Sequence, residues 1–179
     1  MKLVAYLAVS LDGYIADAEG SVDWLNNLPK PEGSDLGFSD FLSTIDAILM
    51  GANTFRTVQS FGMWPYTKPV FVLSHHIKKI PDGFTGKIQL VKGELKAVLR
   101  NIADKGFKNI YVDGGTVVQN CIAQNILDEL IITHAPISLG GGIPLFPTGV
   151  GILNYEHLST ELPGAGFVKS HYRIIKRAK

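Results

Sequence analysis

Two adjacent glycines, Gly114 and Gly115, stand where the apolar run Asn109–Ile110–Tyr111–Val112–Asp113 gives way to a helical pattern opening at Thr116–Val117–Val118. Glycine lets backbone amides approach a ligand closely, and a helix start adds partial positive charge. The junction therefore points to a phosphate-bearing ligand. A tight strand-to-helix turn needing a positive φ uses the same residues, so the pair alone leaves both readings open.

Three further clusters close apolar runs. Ser10–Leu11–Asp12–Gly13–Tyr14–Ile15–Ala16 ends the first, where open α/β sheets often line a ligand crevice; Asp12–Gly13 is equally a common turn pair. Met50–Gly51–Ala52–Asn53–Thr54–Phe55 ends the second. There Gly51 permits close backbone approach, and Asn53 or Thr54 can cap the next helix while facing a phosphate; capping alone explains them as well. Ser74–His75–His76 ends the third, and a hydroxyl with an imidazole suits an adenosine phosphate. A metal is the weaker reading: neighbours on an extended chain point to opposite faces, and no Cys or carboxylate stands at a ligand-like interval.

Other chemistry finds little support. Gly140–Gly141–Gly142 lacks the lysine and Ser/Thr of a P-loop and reads as a surface turn. No Gly-x-Ser-x-Gly elbow occurs. The lone Cys121 falls in an apolar helical stretch and reads as a core residue rather than a nucleophile.

The elements that position these clusters follow from periodicity. Apolar, β-branched-rich runs recur at 3–11, 47–50, 70–74, 88–91, 109–112 and 129–138, several apolar on both faces as in strands covered by helices. Runs at 153–162 and 167–176 flank Pro163–Gly164–Ala165–Gly166 and predict a C-terminal antiparallel hairpin. Phe38, Phe41, Leu42 and Ile45 share one helical face, as do Leu95, Val98, Leu99 and Ile102, with Gly106 ending that helix. A third helix begins at Val117, Val118, Cys121 and Ile122. Strands alternating with helices predict one α/β domain spanning residues 1–179, with a mixed sheet and helices on both faces.

Bulk properties narrow the partners. With 179 residues, 46% hydrophobic and 18% charged, the chain is long enough to bury a substantial core. A net charge of +1 leaves no footprint for nucleic acid, and the basic stretch at 176–179 reads as a solvated tail. No segment nears the roughly 20 apolar residues of a membrane span. With one cysteine and no leader pattern at Met1–Lys2–Leu3, a reducing cytoplasmic setting is expected.

Taken in order, the segments carry a resemblance. Ser10-Leu-Asp-Gly-Tyr-Ile-Ala16, Leu49-Met-Gly-Ala-Asn-Thr-Phe55, Val72-Leu-Ser74, Val112-Asp-Gly-Gly115, Leu127-Asp-Glu-Leu-Ile-Ile-Thr-His-Ala-Pro-Ile-Ser-Leu-Gly140 and Gly141-Gly-Ile-Pro-Leu-Phe146 together resemble the dihydrofolate reductase superfamily. The closer likeness is to the branch named for the reductase domain of the bifunctional riboflavin-biosynthesis protein, over nearly the whole chain. It implies a mixed central sheet of about eight strands, and hydride transfer from NADPH, or alternatively NADH, to a small pterin-like or aminopyrimidine-like heterocycle. It implies that Ala8 and Ile15 offer backbone groups to the nicotinamide carboxamide. Gly51, Asn53 and Thr54 would then meet the pyrophosphate and ribose, Ser74 and His75 the adenosine part, and Gly114, Gly115, Thr116 and Val117 the pyrophosphate. A homodimer is compatible with the likeness.

One departure concerns the cofactor. The family commonly has arginine where this chain has Ala52, and alanine cannot fork onto a 2′-phosphate unless Arg56, His75 or His76 substitutes. The expectation is discrimination between NADPH and NADH below about a hundredfold. For the proton donor, the resemblance offers Asp35, with Thr133 beside it as in folate-reducing members. Asp35 equally fits a helix cap, and Asp40 a solvated helix position. Trp24 could wall the substrate pocket or serve in a core or loop. A nucleotide-binding protein without turnover and a true folate reductase are the alternatives.

Overall fold

A computed structural model describes residues 1–177; of the basic stretch at 176–179, Ala178 and Lys179 lie outside the described residues. In chain order the elements are β1 (Lys2–Val9), β2 (Tyr14–Ala16), α1 (Asp23–Asn26), α2 (Phe38–Ser43), β3 (Ala47–Gly51), α3 (Ala52–Ser60), β4 (Val70–Leu73) and β5 (Ile88–Val91). There follow α4 (Leu95–Asp104), β6 (Asn109–Asp113), α5 (Gly115–Ala123), β7 (Glu129–His134), β8 (Ile143–Pro144), β9 (Asn154–Gly164) and β10 (Phe167–Ile175).

Eight strands form one sheet in the order β5-β4-β3-β6-β1-β7-β10-β9. The first six in that order run parallel, and β10 lies antiparallel between β7 and β9. The parallel strands are apolar on both faces because both faces are covered. Leu3, Ala5 and Val9 of β1 pack with Leu95, Val98, Leu99 and Ile102 of α4 and with Val117, Val118, Cys121 and Ile122 of α5. The alternate residues Val4 and Tyr6 face Phe41 and Leu42 of α2, Phe55 and Val58 of α3, and Tyr111. Each fully buried aliphatic side chain in the α4 stripe contributes roughly 1.5–3 kcal/mol. Cys121 lies in this core, and burial pushes its thiol up to about 12, so it is no nucleophile.

The mixed sheet and terminal hairpin agree with the sequence expectation; some ends move. The runs at 3–11 and 129–138 leave the sheet after Val9 and His134, and α2 stops at Ser43. The hairpin turns through Ala165 and Gly166, both at positive φ (51° and 80°), with Phe167 paired to Gly164. Two left-handed central residues make the turn whose twist suits a hairpin, and alanine is poorly suited there. Ala165→Gly is expected to raise stability by about 0.5–1 kcal/mol in urea unfolding; a destabilised variant would contradict this account.

The triple glycine is no free surface turn, which corrects the expectation. Gly142 (φ 139°) lies where a Cβ would overlap the Ala16 carbonyl oxygen, because β2 and β8 pair there as a short ribbon. Hydrogen bonding secures the ribbon: Leu145 N donates to Gly13 O (3.0 Å), and the Asp12 carboxylate accepts from Gly140 N (2.7 Å) and Leu139 N (3.1 Å). The Ser10 hydroxyl donates to Asp12 at 2.5 Å and is the main reason that carboxyl is pulled down to about 2. A periodicity search misses so short a ribbon.

Candidate active site

The carboxyl ends of all six parallel strands lie along one edge of the sheet, and three helices start there. Helix α3 follows β3 directly, α5 follows β6 directly, and α4 follows β5 after a short loop. None of the three has a side-chain cap. The amides of a helix's first turn lack i−4 partners and are open to an anion, although Ala97 N of α4 donates to Glu94 O at 2.9 Å.

These three starts open on one cleft of about 400 Å³. Gly51, Asn53 and Thr54 line it from the α3 side, Glu94 from α4, Thr116 and Val117 from α5, and His75 from the end of β4. A recess of about 640 Å³ lies at the opposite edge, where the lining cations Lys2 and Lys176 pair with Glu129 and Asp128. Only the first cleft sits at the strand ends where open α/β sheets bind ligands.

Close packing at this edge makes glycine necessary at position 114. Gly114 (φ 88°) is so near α3 that a Cβ would overlap Thr54 Oγ1 and stand 2.9 Å from Thr54 Cβ. A Cβ on Gly115 would overlap Ile15 Cδ1, and one on Gly51 would stand 3.4 Å from Val117 Cγ2. At Gly114 packing and φ require glycine, as the tight-turn reading expects, and the helix start beyond it leaves the phosphate reading open.

The structure brings together most of the residues singled out from sequence. Gly51, Asn53, Thr54, His75, Thr116 and Val117 line the cleft itself. Gly114 and Gly115 precede the lining residue Thr116 and pack against Thr54 and Ile15 without lining the cleft themselves. Ser74 is buried between the lining residues Leu73 and His75, its hydroxyl accepting from Ile77 N (3.0 Å) and His76 N (3.1 Å). Ala8 pairs with Thr133 across the β1–β7 ladder at the same edge.

Thr133 is 2% exposed, and its Oγ1 has no hydrogen-bond partner among the described residues. Tyr6 is near, but its hydroxyl donates to Leu36 O at 2.7 Å, and burial first, then the charges of Asp35 and Glu161, push its pKa up to about 12. Lys169 Nζ donates to the same Leu36 carbonyl (3.2 Å) and pairs with Glu161 (2.9 Å). Leu36 itself sits at φ 59°, so two side chains hold a strained backbone over this end of the sheet. A buried orphan hydroxyl is costly unless a ligand satisfies it.

Asp35 is not the acid expected from the resemblance. It is exposed, and its carboxylate accepts from Ser39 N (2.8 Å) and Gly37 N (2.9 Å) ahead of α2. The Ser39 hydroxyl first, then those amides, hold its carboxyl at about 2. An acid so depressed carries no proton at neutral pH. Asp35→Ala is expected to cost roughly 1 kcal/mol through the lost bonds to these amides and to leave the pH–rate profile in place. Because the pKa is lowered, the contribution of those bonds is present above 3.8 and fades as pH falls towards about 2. Acid unfolding of the two proteins checks this.

Asp113 is the carboxyl that sequence reasoning quoted without assigning. It ends β6 on the face of Tyr111 and receives the Tyr66 hydroxyl at 2.5 Å. Protein packs densely round it although part of its surface meets solvent, and burial raises its pKa against the opposing bond from Tyr66. The Tyr111 hydroxyl is directed to Tyr6 O (3.1 Å), so it serves Asp113 only as a neighbour. The signal available beforehand was register: a carboxylate alternating with buried Tyr111 at a strand end. Trp24 is half-buried in α1 with its indole N–H unpartnered.

Comparison with known proteins follows the same line. Residues 1–169 match the model of the RibD C-terminal domain. The uncharacterized protein YwjB of Bacillus subtilis (strain 168) is 36% identical over 149 residues, 81% of this chain and 82% of that one. A candidate riboflavin biosynthesis protein of Shewanella sp. PV-4 superposes with a TM-score of 0.91 at 40% identity, covering 98% of this chain and all of that one. Two reductases share the fold at 14% identity. The Thermotoga maritima diaminohydroxyphosphoribosylaminopyrimidine deaminase/5-amino-6-(5-phosphoribosylamino)uracil reductase gives a TM-score of 0.74 over 97% of this chain and 56% of that one. Dihydrofolate reductase of Enterococcus faecalis, complexed with NADP(H), gives 0.64 over 97% and 96%. With a family match over nearly its whole length and this strand order, the chain belongs to the RibD C-terminal domain family.

Proposed function

We propose that this protein is an oxidoreductase that uses a reduced nicotinamide dinucleotide to reduce an aminopyrimidine-like or pterin-like heterocycle. The observation that carries the reading is the convergence of three uncapped helix starts, α3, α4 and α5, on one cleft. A pyrophosphate is the anion that fits amides from two helix starts that each follow a glycine, Gly51 and Gly114. The family membership supports reduction as the chemistry, and the aminopyrimidine reductase with the same fold supports the substrate class.

When bound, the dihydronicotinamide supplies a hydride to an unsaturated carbon of the heterocycle and leaves oxidised, while a proton goes to the adjacent heteroatom. The chain's own part is binding, orientation and that proton. Amides of the first turns of α3 and α5 hold the diphosphate, and Ile15 packs across Gly115. Ala8 and Thr133 lie side by side at the ends of β1 and β7, and the orphan Thr133 hydroxyl gives a polar heterocycle a buried partner. Asp113, at the end of β6 beside Tyr66 and with its pKa raised by burial, is the carboxyl this reading assigns to the proton transfer.

Oxidation of NADH and NADPH against a panel of aminopyrimidines and dihydropterins tests the proposal. Turnover with one class is expected. Binding of a coenzyme without turnover across the panel would favour a nucleotide-binding role instead. Failure of either coenzyme to shift melting temperature or tryptophan emission would remove the cofactor assignment. True folate reduction through Asp35 is disfavoured, since that carboxylate is exposed and ionised.

A further inference from the structure

The charge of the cleft bears on which dinucleotide it takes. Counting histidine as neutral, its lining has one formal charge, the Glu94 carboxylate, and contains neither lysine nor arginine. Glu94 stands at the start of α4, its carbonyl accepting from Ala97 N (2.9 Å) and Val98 N (3.0 Å). Its side chain caps nothing, and among the described residues it forms no ion pair. The cations around it lie outside the lining: Lys92 and Lys96, two residues to either side, and Arg56, whose guanidinium donates to Asn53 Oδ1 at 2.9 Å.

A free carboxylate at a nucleotide cleft has a known physical consequence. It accepts hydrogen bonds from vicinal ribose hydroxyls and repels a 2′-phosphate, which brings close to two further negative charges; an arginine does the opposite. Resting on the cofactor reading above, we propose that this cleft selects the dinucleotide without a 2′-phosphate, NADH, and that Glu94 is the discriminating residue. A carboxylate that merely favoured the α4 helix dipole would affect stability without touching coenzyme preference.

Dissociation constants for NADH and NADPH, read by tryptophan emission and melting temperature, test this on the native protein, Glu94→Gln and Glu94→Lys. Competition by 5′-ADP and 2′,5′-ADP isolates the adenosine half. The native protein is expected to bind NADH about tenfold or more tighter than NADPH, in line with the cost of like charges in contact. Glu94→Gln should narrow that ratio about tenfold, mainly by tightening NADPH, and Glu94→Lys should reverse it. The 2′,5′-ADP to 5′-ADP ratio should move in step. NADPH bound as tightly as NADH, or a ratio unmoved in Glu94→Gln, overturns the proposal while leaving the cofactor reading intact. If neither coenzyme binds, the cofactor reading fails and this inference falls with it.

Discussion

Gly114→Ala is expected to destabilise the protein by about 3 kcal/mol and to weaken dinucleotide binding together with it, because backbone strain and overpacking each cost roughly 1–3 kcal/mol. At φ 88° and ψ 140° an L side chain is disfavoured, and the new Cβ would overlap Thr54 Oγ1. Against a typical total of about 5–15 kcal/mol, that loss is large. Gly115→Ala is the internal control. Gly115 has no positive φ, and its Cβ would meet the far end of the Ile15 side chain, which can rotate away. The control should lose under about 1 kcal/mol. Urea unfolding separates the two, and coenzyme titration below the transition reports the cleft. Trimming the obstacle in Gly114→Ala/Thr54→Gly should recover part of the stability. Equal stabilities for both alanine variants would mean that the β6–α5 junction is not packed as described.

Asp113→Asn is expected to lower kcat about 10²- to 10⁴-fold, the usual range for a lost general acid, with a smaller change in coenzyme affinity. The pH dependence carries the sharper test. Burial raises the Asp113 pKa above 3.8, so the group holds its proton at low pH and gives it up as pH climbs through the raised value. The rate should therefore fall along an alkaline limb, which Asp113→Asn should abolish. The Tyr66 hydroxyl donates to the carboxylate and favours its charged form, so Tyr66→Phe should shift the limb to higher pH. The same linkage gives stability a sign: the part owed to neutral Asp113 is full below 3.8 and is lost as pH rises towards the native value. An Asp113→Asn enzyme that kept the alkaline limb would show that another group supplies the proton.

Much of the architecture was legible beforehand because it rests on local rules. Two-faced apolar runs at 47–50 and 109–112 require a sheet covered on both sides, and Gly166 permits the turn of a hairpin between two strand-like runs. The helix starts at Gly51 and Gly114 were visible for the same reason: a glycine between a strand and a helical stripe is a nearest-neighbour signal. The β2–β8 ribbon was hidden, since it joins residues about 130 positions apart in the chain through pairs that no periodicity announces.

The candidate site divides along the same boundary. Sequence alone determined which segments end at the ligand edge of the sheet, because strand direction and helix starts follow from short windows of chain. Only the tertiary structure decided which carboxylates matter there. Asp35, Glu94 and Asp113 are alike as carboxylates, yet one is tied to amides at the start of α2, one forms no ion pair among the described residues and lines a cleft, and one is pressed against Tyr66. Charge state and availability depend on burial and on partners distant in sequence, such as the 47 positions between Tyr66 and Asp113, and only folding brings those together.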